Sequence, residues 1–255
     1  MAGGNTVPSG ATRWRSAPAR ARANSSGSSD AAVSPVWGPL WNVSGAEEGV
    51  LQGGIMAVRG YKDWEEQYRA EESEELPWFY APLDPDVLHA LEARGLRRGK
   101  ALDLGTGPGT QAIELAKLGF EVTGSDISAT AIKRAKDRAN SHGVAVTFLE
   151  DDLVDSRLVG PFKLVMDRGC FHAIELEQRE GYLETLSRIV EPGGVLLLKC
   201  FSHKEPGDKG PRRLRPDELH THFEPMFEVQ SIDETVFQCN FEEWPRALFA
   251  QMIRL

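Results

Sequence analysis

Residues 101–128 read ALDLGTGPGTQAIELAKLGFEVTGSDIS, and their order predicts a strand, a glycine-rich turn, a helix and a second strand that stops at an acid. Gly105, Gly107 and Gly109 follow directly on the first strand, where the missing Cβ lets the chain turn sharply and lets its backbone approach a ligand. A dinucleotide fingerprint, G-x-G-x-x-G, would need glycine at position 110, where Thr110 stands. Asp103 precedes the first glycine by two residues and would set an anion beside any pyrophosphate; it suits a ligand that carries an ammonium group. Asp126 closes the second strand, where a carboxylate can accept hydrogen bonds from two ribose hydroxyls. The run EDDL at 150–153 ends a third strand at the same carboxyl edge, where open α/β sheets bind their ligands.

The alternation continues in both directions. Apolar strand-like runs fall at 100–104, 120–125, 144–149, 161–167 and 194–201, with helix-like stretches at 108–118, 128–141 and 175–190. Strands alternating with helices imply a parallel sheet covered on both faces, a doubly wound α/β domain. A short helix near 216–222 and two further β-like runs, FEVQSIDETVF and ALFAQMIRL, complete it. Before it, Trp64 and Tyr68 are spaced to share a helix face, the Pro77-Trp78 pair breaks that helix, and a second one starts near Asp84. Residues 1–55 differ in kind: rich in Ala, Ser, Gly, Pro and Arg, without apolar periodicity, they read as a disordered leader. Met1–Ser29 holds four arginines and no acid, so removing those charges from the total of −9 leaves −13 on residues 30–255. Such an acid-poor leader without an apolar core resembles an organelle transit peptide; a dispensable tail is the plainer alternative. The folded part is expected at 56–255, with a helical N-terminal cap over about 56–98. Net acidity argues against a broad grip on nucleic-acid phosphates. No run reaches the roughly 18 apolar residues of a membrane helix, and Cys170, Cys200 and Cys239 are too scattered for a metal site or a disulfide framework. The expectation is an intracellular protein, cytoplasmic or organellar, monomeric or weakly dimeric.

A ligand with a cationic amino-acid end, a ribose, an adenine-like base and no phosphate matches S-adenosylmethionine. Asp-x-Gly-x-Gly-x-Gly, the acid after strand two and the third-strand acid resemble the cofactor motifs of class I methyltransferases. That resemblance implies a Rossmann-like, seven-stranded, mostly parallel sheet whose last strand runs antiparallel. It also implies that Asp103 and the Gly105–Gly109 backbone, with Thr106, hold the methionine moiety, that Asp126 and Ile127 meet the ribose, and that Asp152 with the Leu153 backbone meets the adenine. Asp151 is the less certain member of the EDDL run, with turn capping as its plainer role.

The acceptor must be read downstream. Methyltransferases acting on base or amide nitrogens carry Asn or Asp followed by Pro-Pro and an aromatic, whereas here FKLVMD runs into RGCFHAI. DRGCFHAI, then EQREGYLETLSRIVEPGGVLLLKCF and GPRRLRPDEL, together with DWEEQY and PWF upstream, resemble the thiopurine methyltransferase-like family, which includes thiol and halide methyltransferases. By that resemblance Asp167, Arg168 and Gly169 lie beside the transferring methyl, and Trp64, Trp78 and Phe79 belong to a cap over the cofactor, where aromatic rings stabilise a sulfonium by about 0.5–2 kcal/mol. The implied acceptor is a small thiol or another soft sulfur, selenium or halide nucleophile. Each residue has a plainer alternative. Arg168 can pair with a carboxylate at the sheet edge, His172 can pack or cap rather than act as a base, and Trp64 and Tyr68 can be core anchors. Cys170 reads as a small buried hydrophobe rather than a nucleophile, and the polar segment 201–215 as a solvated loop. Two other functions stay open: an NAD(P)-dependent oxidoreductase, and a non-catalytic scaffold that binds S-adenosylmethionine.

Overall fold

The computed structural model describes residues 63–207 and 210–255; the expected leader and the first residues of the expected cap lie outside them. Seven strands form one sheet: β1 (Lys100–Leu104), β2 (Glu121–Asp126), β3 (Thr147–Glu150), β4 (Phe162–Arg168), β5 (Val190–Phe201), β6 (Phe227–Val236) and β7 (Arg246–Arg254), in the order β3-β2-β1-β4-β5-β7-β6. The pairs among β1 to β5 are parallel, and β7 is antiparallel to both its neighbours. The helices are α1 (Trp64–Ala70), α2 (Pro85–Ala93), α3 (Thr110–Lys117), α4 (Ala129–His142), α5 (Arg179–Ile189) and α6 (Pro216–Phe223). The strand order reverses between β1 and β4, which is where open parallel sheets leave a crevice at their carboxyl ends.

Two apolar layers hold the sheet, and side-chain parity along each strand decides which residue enters which. Leu102, Leu104, Val165, Leu196 and Leu198 meet α5 and α6 through Tyr182, Leu186 and Phe223. Ala101, Leu164, Met166, Val195 and Leu197 meet α2, α3 and α4 through Leu91, Ile113 and Ala135. Burying such aliphatic side chains contributes roughly 1.5–3 kcal/mol each.

Several boundaries differ from the sequence expectation, among them β5, which starts at Val190 rather than at 194. β3 starts at Thr147 rather than at 144, and 175–190 resolves into a 3-10 turn at Leu176–Gln178 followed by α5. Helix α1 ends at Ala70, well before Pro77, and a 3-10 turn covers Ser73–Glu75. That stretch is held from outside: Arg134 donates to the Glu71 carbonyl (2.6 Å) and Asn240 to the Leu76 carbonyl (3.0 Å). All three cysteines are free thiols. Among the described residues no helix is long and apolar enough to cross a membrane, and no cluster of His, Cys, Asp and Glu could hold a metal ion.

Candidate active site

A cavity opens at the carboxyl ends of β1, β2 and β4, and the glycine turn forms one of its walls. Gly105 and Gly107 have φ of 60° and 52°, in the left-handed region that L side chains avoid. A Cβ on Gly105 would lie 2.1 Å from the Cys170 Sγ, and one on Gly107 would lie 2.6 Å from the Tyr68 hydroxyl. The turn is fastened at its base, where the Thr106 amide donates to the Ser125 carbonyl (2.8 Å) and the Thr106 hydroxyl to Asp103 (2.6 Å). The Asp126 carboxylate accepts from the amides of Gly107 and Ser128, both at 2.9 Å, joining the two strand ends. Burial pushes the Asp103 carboxyl up to about 7, against the lowering effect of its bonds from Thr106 and Ala112. The same cause takes Asp126 to about 6.

Of the residues expected to contact cofactor, Asp103, Gly105, Thr106, Gly107, Asp126, Ile127, Asp152, Leu153, Trp64 and Trp78 all line this cavity. Gly109 does not: with φ 79° it precedes α3, and a Cβ there would press on Ala135 and Phe148, so this glycine serves the close packing of α3 on α4 and β3. Asp151 caps a turn by accepting from the Arg157 amide (2.9 Å). The N-terminal segment covers the cavity with aromatic rings. Trp64 and Trp78 meet edge to face at 5.5 Å, and the Trp78 indole donates to the Tyr68 hydroxyl (3.1 Å).

The DRGCFHAI residues depart from their expected roles. Asp167 follows the parity of Val165, so it enters the α5 layer and is absent from the cavity lining. Its carboxylate accepts from the amides of Cys170 (2.7 Å) and Phe171 (3.1 Å) and from the Tyr182 hydroxyl (2.6 Å), which makes it the clamp of the turn after β4. His172 lines the cavity but is not poised as a general base. Burial pushes its pKa down to about 3, and its Nδ1 already accepts from the Phe201 amide (2.9 Å). Arg168 also lines the cavity, with its guanidinium committed to Asp84 (2.9 Å), to the carbonyls of Trp78 and Gln238, and to the face of Phe237 at 4.5 Å. Burial raises the Cys170 thiol well above its usual range, and its Sγ donates to the Leu104 carbonyl, so it stays protonated.

Sequence reasoning missed an aromatic wall. Tyr80, Phe201, Phe237, Cys239, Phe241 and Pro245 also line the cavity, Phe201, Phe237, Cys239 and Phe241 pack as one cluster with Trp78, and Pro211 lines it from the polar segment 201–215. It also missed Gln111, whose amide accepts from the Asp84 N–H (2.8 Å) and donates to the Tyr80 and Pro82 carbonyls, fixing the segment that carries Tyr80. An apolar residue after a strand carries no motif, so only three-dimensional proximity reveals this wall.

The residues present fit S-adenosylmethionine: a cradle that only glycine can form, acids instead of phosphate-binding cations, and aromatic rings for a sulfonium. A family model described as "Methyltransferase domain" matches residues 101–194. A 2-heptyl-1-hydroxyquinolin-4(1H)-one methyltransferase of Mycobacteroides abscessus is 30% identical over 185 residues, covering 69% of this chain and 81% of the relative. The chain belongs to the S-adenosylmethionine-dependent methyltransferases. The "Probable thiol methyltransferase 2" of Arabidopsis thaliana is 26% identical, over 70% of this chain and 79% of its own. The human EEF1A lysine methyltransferase 2 is 32% identical, over 62% and 67%. A solved chain from work on the conversion of a disulfide bond into a thioacetal group during echinomycin biosynthesis matches with TM-score 0.66 and 28% identity, over 74% of this methyltransferase and 91% of that chain.

Proposed function

We propose that this methyltransferase transfers the methyl group of S-adenosylmethionine to a small thiol or another soft sulfur, selenium or halide nucleophile. The observation that carries the reading is the chemistry of the aromatic wall. Its rings are apolar, and the titratable groups beside them are thiols pushed up, a histidine pushed down to about 3 and an arginine already paired. None of these can take a proton at neutral pH. An ammonium acceptor must first lose one, whereas a thiol is already a few per cent thiolate near neutrality and is intrinsically nucleophilic. The Arabidopsis relative, a probable thiol methyltransferase, and the subject of the echinomycin study concern sulfur as well. In this reading Asp103 holds the ammonium of the cofactor, the Gly105–Gly107 backbone its carboxylate, Asp126 with Ile127 the ribose, and Asp152 with the Leu153 amide the adenine. Trp64 covers the sulfonium, Trp78 packs into the aromatic wall with Phe201 and Phe237, and Arg168 acts as a positioning residue. The catalytic unit is residues 56–255, with 1–55 outside it.

S-adenosylmethionine supplies an electrophilic methyl group on a positively charged sulfur. The chain's part is alignment and exclusion of water, because an in-line displacement needs the nucleophile opposite the leaving sulfur at near contact. As the acceptor S–C bond forms and the sulfonium C–S bond breaks, the products are a methyl thioether and S-adenosylhomocysteine; the thiol proton leaves to solvent beforehand. A panel of labelled-methyl assays with aryl and alkyl thiols, iodide, thiocyanate, selenide and a lysine peptide tests this. Turnover confined to soft nucleophiles is expected. Turnover of the peptide alone would overturn the acceptor reading, and S-adenosylhomocysteine binding without any turnover would favour the scaffold reading.

A further inference from the structure

Beneath the aromatic wall lies a buried group of charges around Arg168, of which Lys199, Asp84 and Asp86 have no part in the reaction above. Arg168 and Lys199 are register partners on the adjacent strands β4 and β5, and both project toward the α2 side of the sheet. Two cations so placed repel. Asp84, fully buried at the N-cap of α2, lies between them: its carboxylate accepts from Arg168 Nε (2.9 Å) and from Lys199 Nζ (2.7 and 2.8 Å). Asp86 adds a second carboxylate 2.6 Å from Lys199 Nζ, so two anions balance two cations. Lys199 also donates to the Gln238 side chain (2.8 Å), and Arg168 to the Gln238 carbonyl.

These bonds reach the two chain segments that carry the wall and come from distant parts of the sequence. Trp78 to Tyr80 is held through the Trp78 carbonyl on Arg168 and through Gln111, which joins the Tyr80 carbonyl to the Asp84 amide; Phe237 to Cys239 is held through both ends of Gln238. The glycine turn receives no hydrogen bond from Lys199. We propose that Lys199, with Asp84 and Gln238, is a positioning device that fixes the acceptor wall of the cavity independently of the cofactor wall. Buried charge pairs are weak evidence for stability, because desolvation offsets their attraction. A role in fixing one arrangement of segments accounts for the cluster where a stability role does not. The inference rests on the proposed division of the cavity into cofactor and acceptor walls.

The test compares the wild-type chain with Lys199→Met, which keeps the aliphatic stem without the charge. Because that change leaves Asp84 and Asp86 with one cation fewer in a largely buried group and can prevent folding, Gln238→Leu serves as the second variant, with all four charges still paired. Backbone hydrogen exchange is measured on the chain saturated with S-adenosylhomocysteine. Exchange at 78–80 and 237–244 is expected to accelerate about tenfold or more, with 104–113 unchanged within about twofold. With thiophenol as acceptor, KM is expected to rise about tenfold while the calorimetric Kd of S-adenosylhomocysteine holds. Equal acceleration in both walls, unchanged exchange at 78–80 and 237–244, or a loss of cofactor affinity matching the rise in KM would overturn the proposal. If the wild-type chain methylates no thiol, the acceptor reading fails, and the exchange pattern alone decides this one.

Discussion

At Asp103 and Asp126 the site holds two carboxyls that burial has pushed up, to about 7 and about 6 from an ordinary 3.8. An ammonium group is attracted only by the ionised Asp103. S-adenosylhomocysteine affinity is therefore expected to rise between about pH 5.5 and 8, by at most tenfold per pH unit for one proton released. The stability consequence has the opposite sign in the ligand-free chain: a carboxyl raised above its unfolded value contributes stability that is present below pH 3.8 and lost as pH rises through about 6 to 7. Calorimetric titrations and thermal scans across that range check both. A second prediction concerns Gly105→Ala, whose Cβ would meet the Cys170 Sγ at 2.1 Å with φ at 60°. Left-handed backbone strain of about 1–2 kcal/mol adds to that clash, and cofactor binding by calorimetry is expected to vanish. At this scale the place of Asp103, Asp126 and Asp152 in one cavity was legible, because acids at strand ends beside a glycine turn meet at the carboxyl edge of the sheet. Asp167 was not. Its motif placed it near the reaction, but the pleat that buries Val165 toward α5 sends Asp167 the same way, to Tyr182.

Among the elements, α1 acts as the roof of the cavity and is clasped to the start of α4 through one side chain. Glu65 accepts from the Ser128 hydroxyl (2.6 Å), the Thr130 hydroxyl (2.8 Å) and the Thr130 amide (3.0 Å). Those bonds, that from Ser128 first, hold its carboxyl down to about 2. The clasp therefore stabilises the chain above pH 4.5 and is lost as pH falls toward 2. Since α1 carries Trp64 and Tyr68 onto the cavity, Glu65→Ala is expected to weaken S-adenosylhomocysteine binding roughly five- to tenfold, about 1 kcal/mol, with a small drop in melting temperature. Unchanged affinity in a calorimetric titration would show that α1 is not part of the roof. The helix itself was legible from the spacing of Trp64 and Tyr68. Its clasp was not, because Glu65 and its partners are more than sixty residues apart and look like ordinary surface polar groups in sequence.

For the whole molecule, alternation of strands and helices was enough to read a doubly wound sheet, since each parallel strand needs apolar cover on both faces and therefore shows as a continuous apolar run. The carboxyl edge as the ligand side followed from the same pattern, whereas the reversal of strand order between β1 and β4, which sets the place of the cavity, shows only in the folded sheet. Most of the proposed donor side lies in one stretch of 28 residues, with Asp152, Leu153 and Trp64 added from outside it, and could be read as such. The proposed acceptor side could not, because Tyr80, Phe201, Phe237 and Pro245 come from distant stretches and meet only in the folded chain. The most direct test of the account is a single experiment: transfer of labelled methyl from S-adenosylmethionine to thiophenol by the wild-type chain and by Asp126→Ala, with cofactor binding measured on both. The account predicts a labelled thioether from the wild type and a loss of cofactor affinity and turnover together in the variant. Label in no soft nucleophile, or an Asp126→Ala chain that binds and turns over like the wild type, would contradict it.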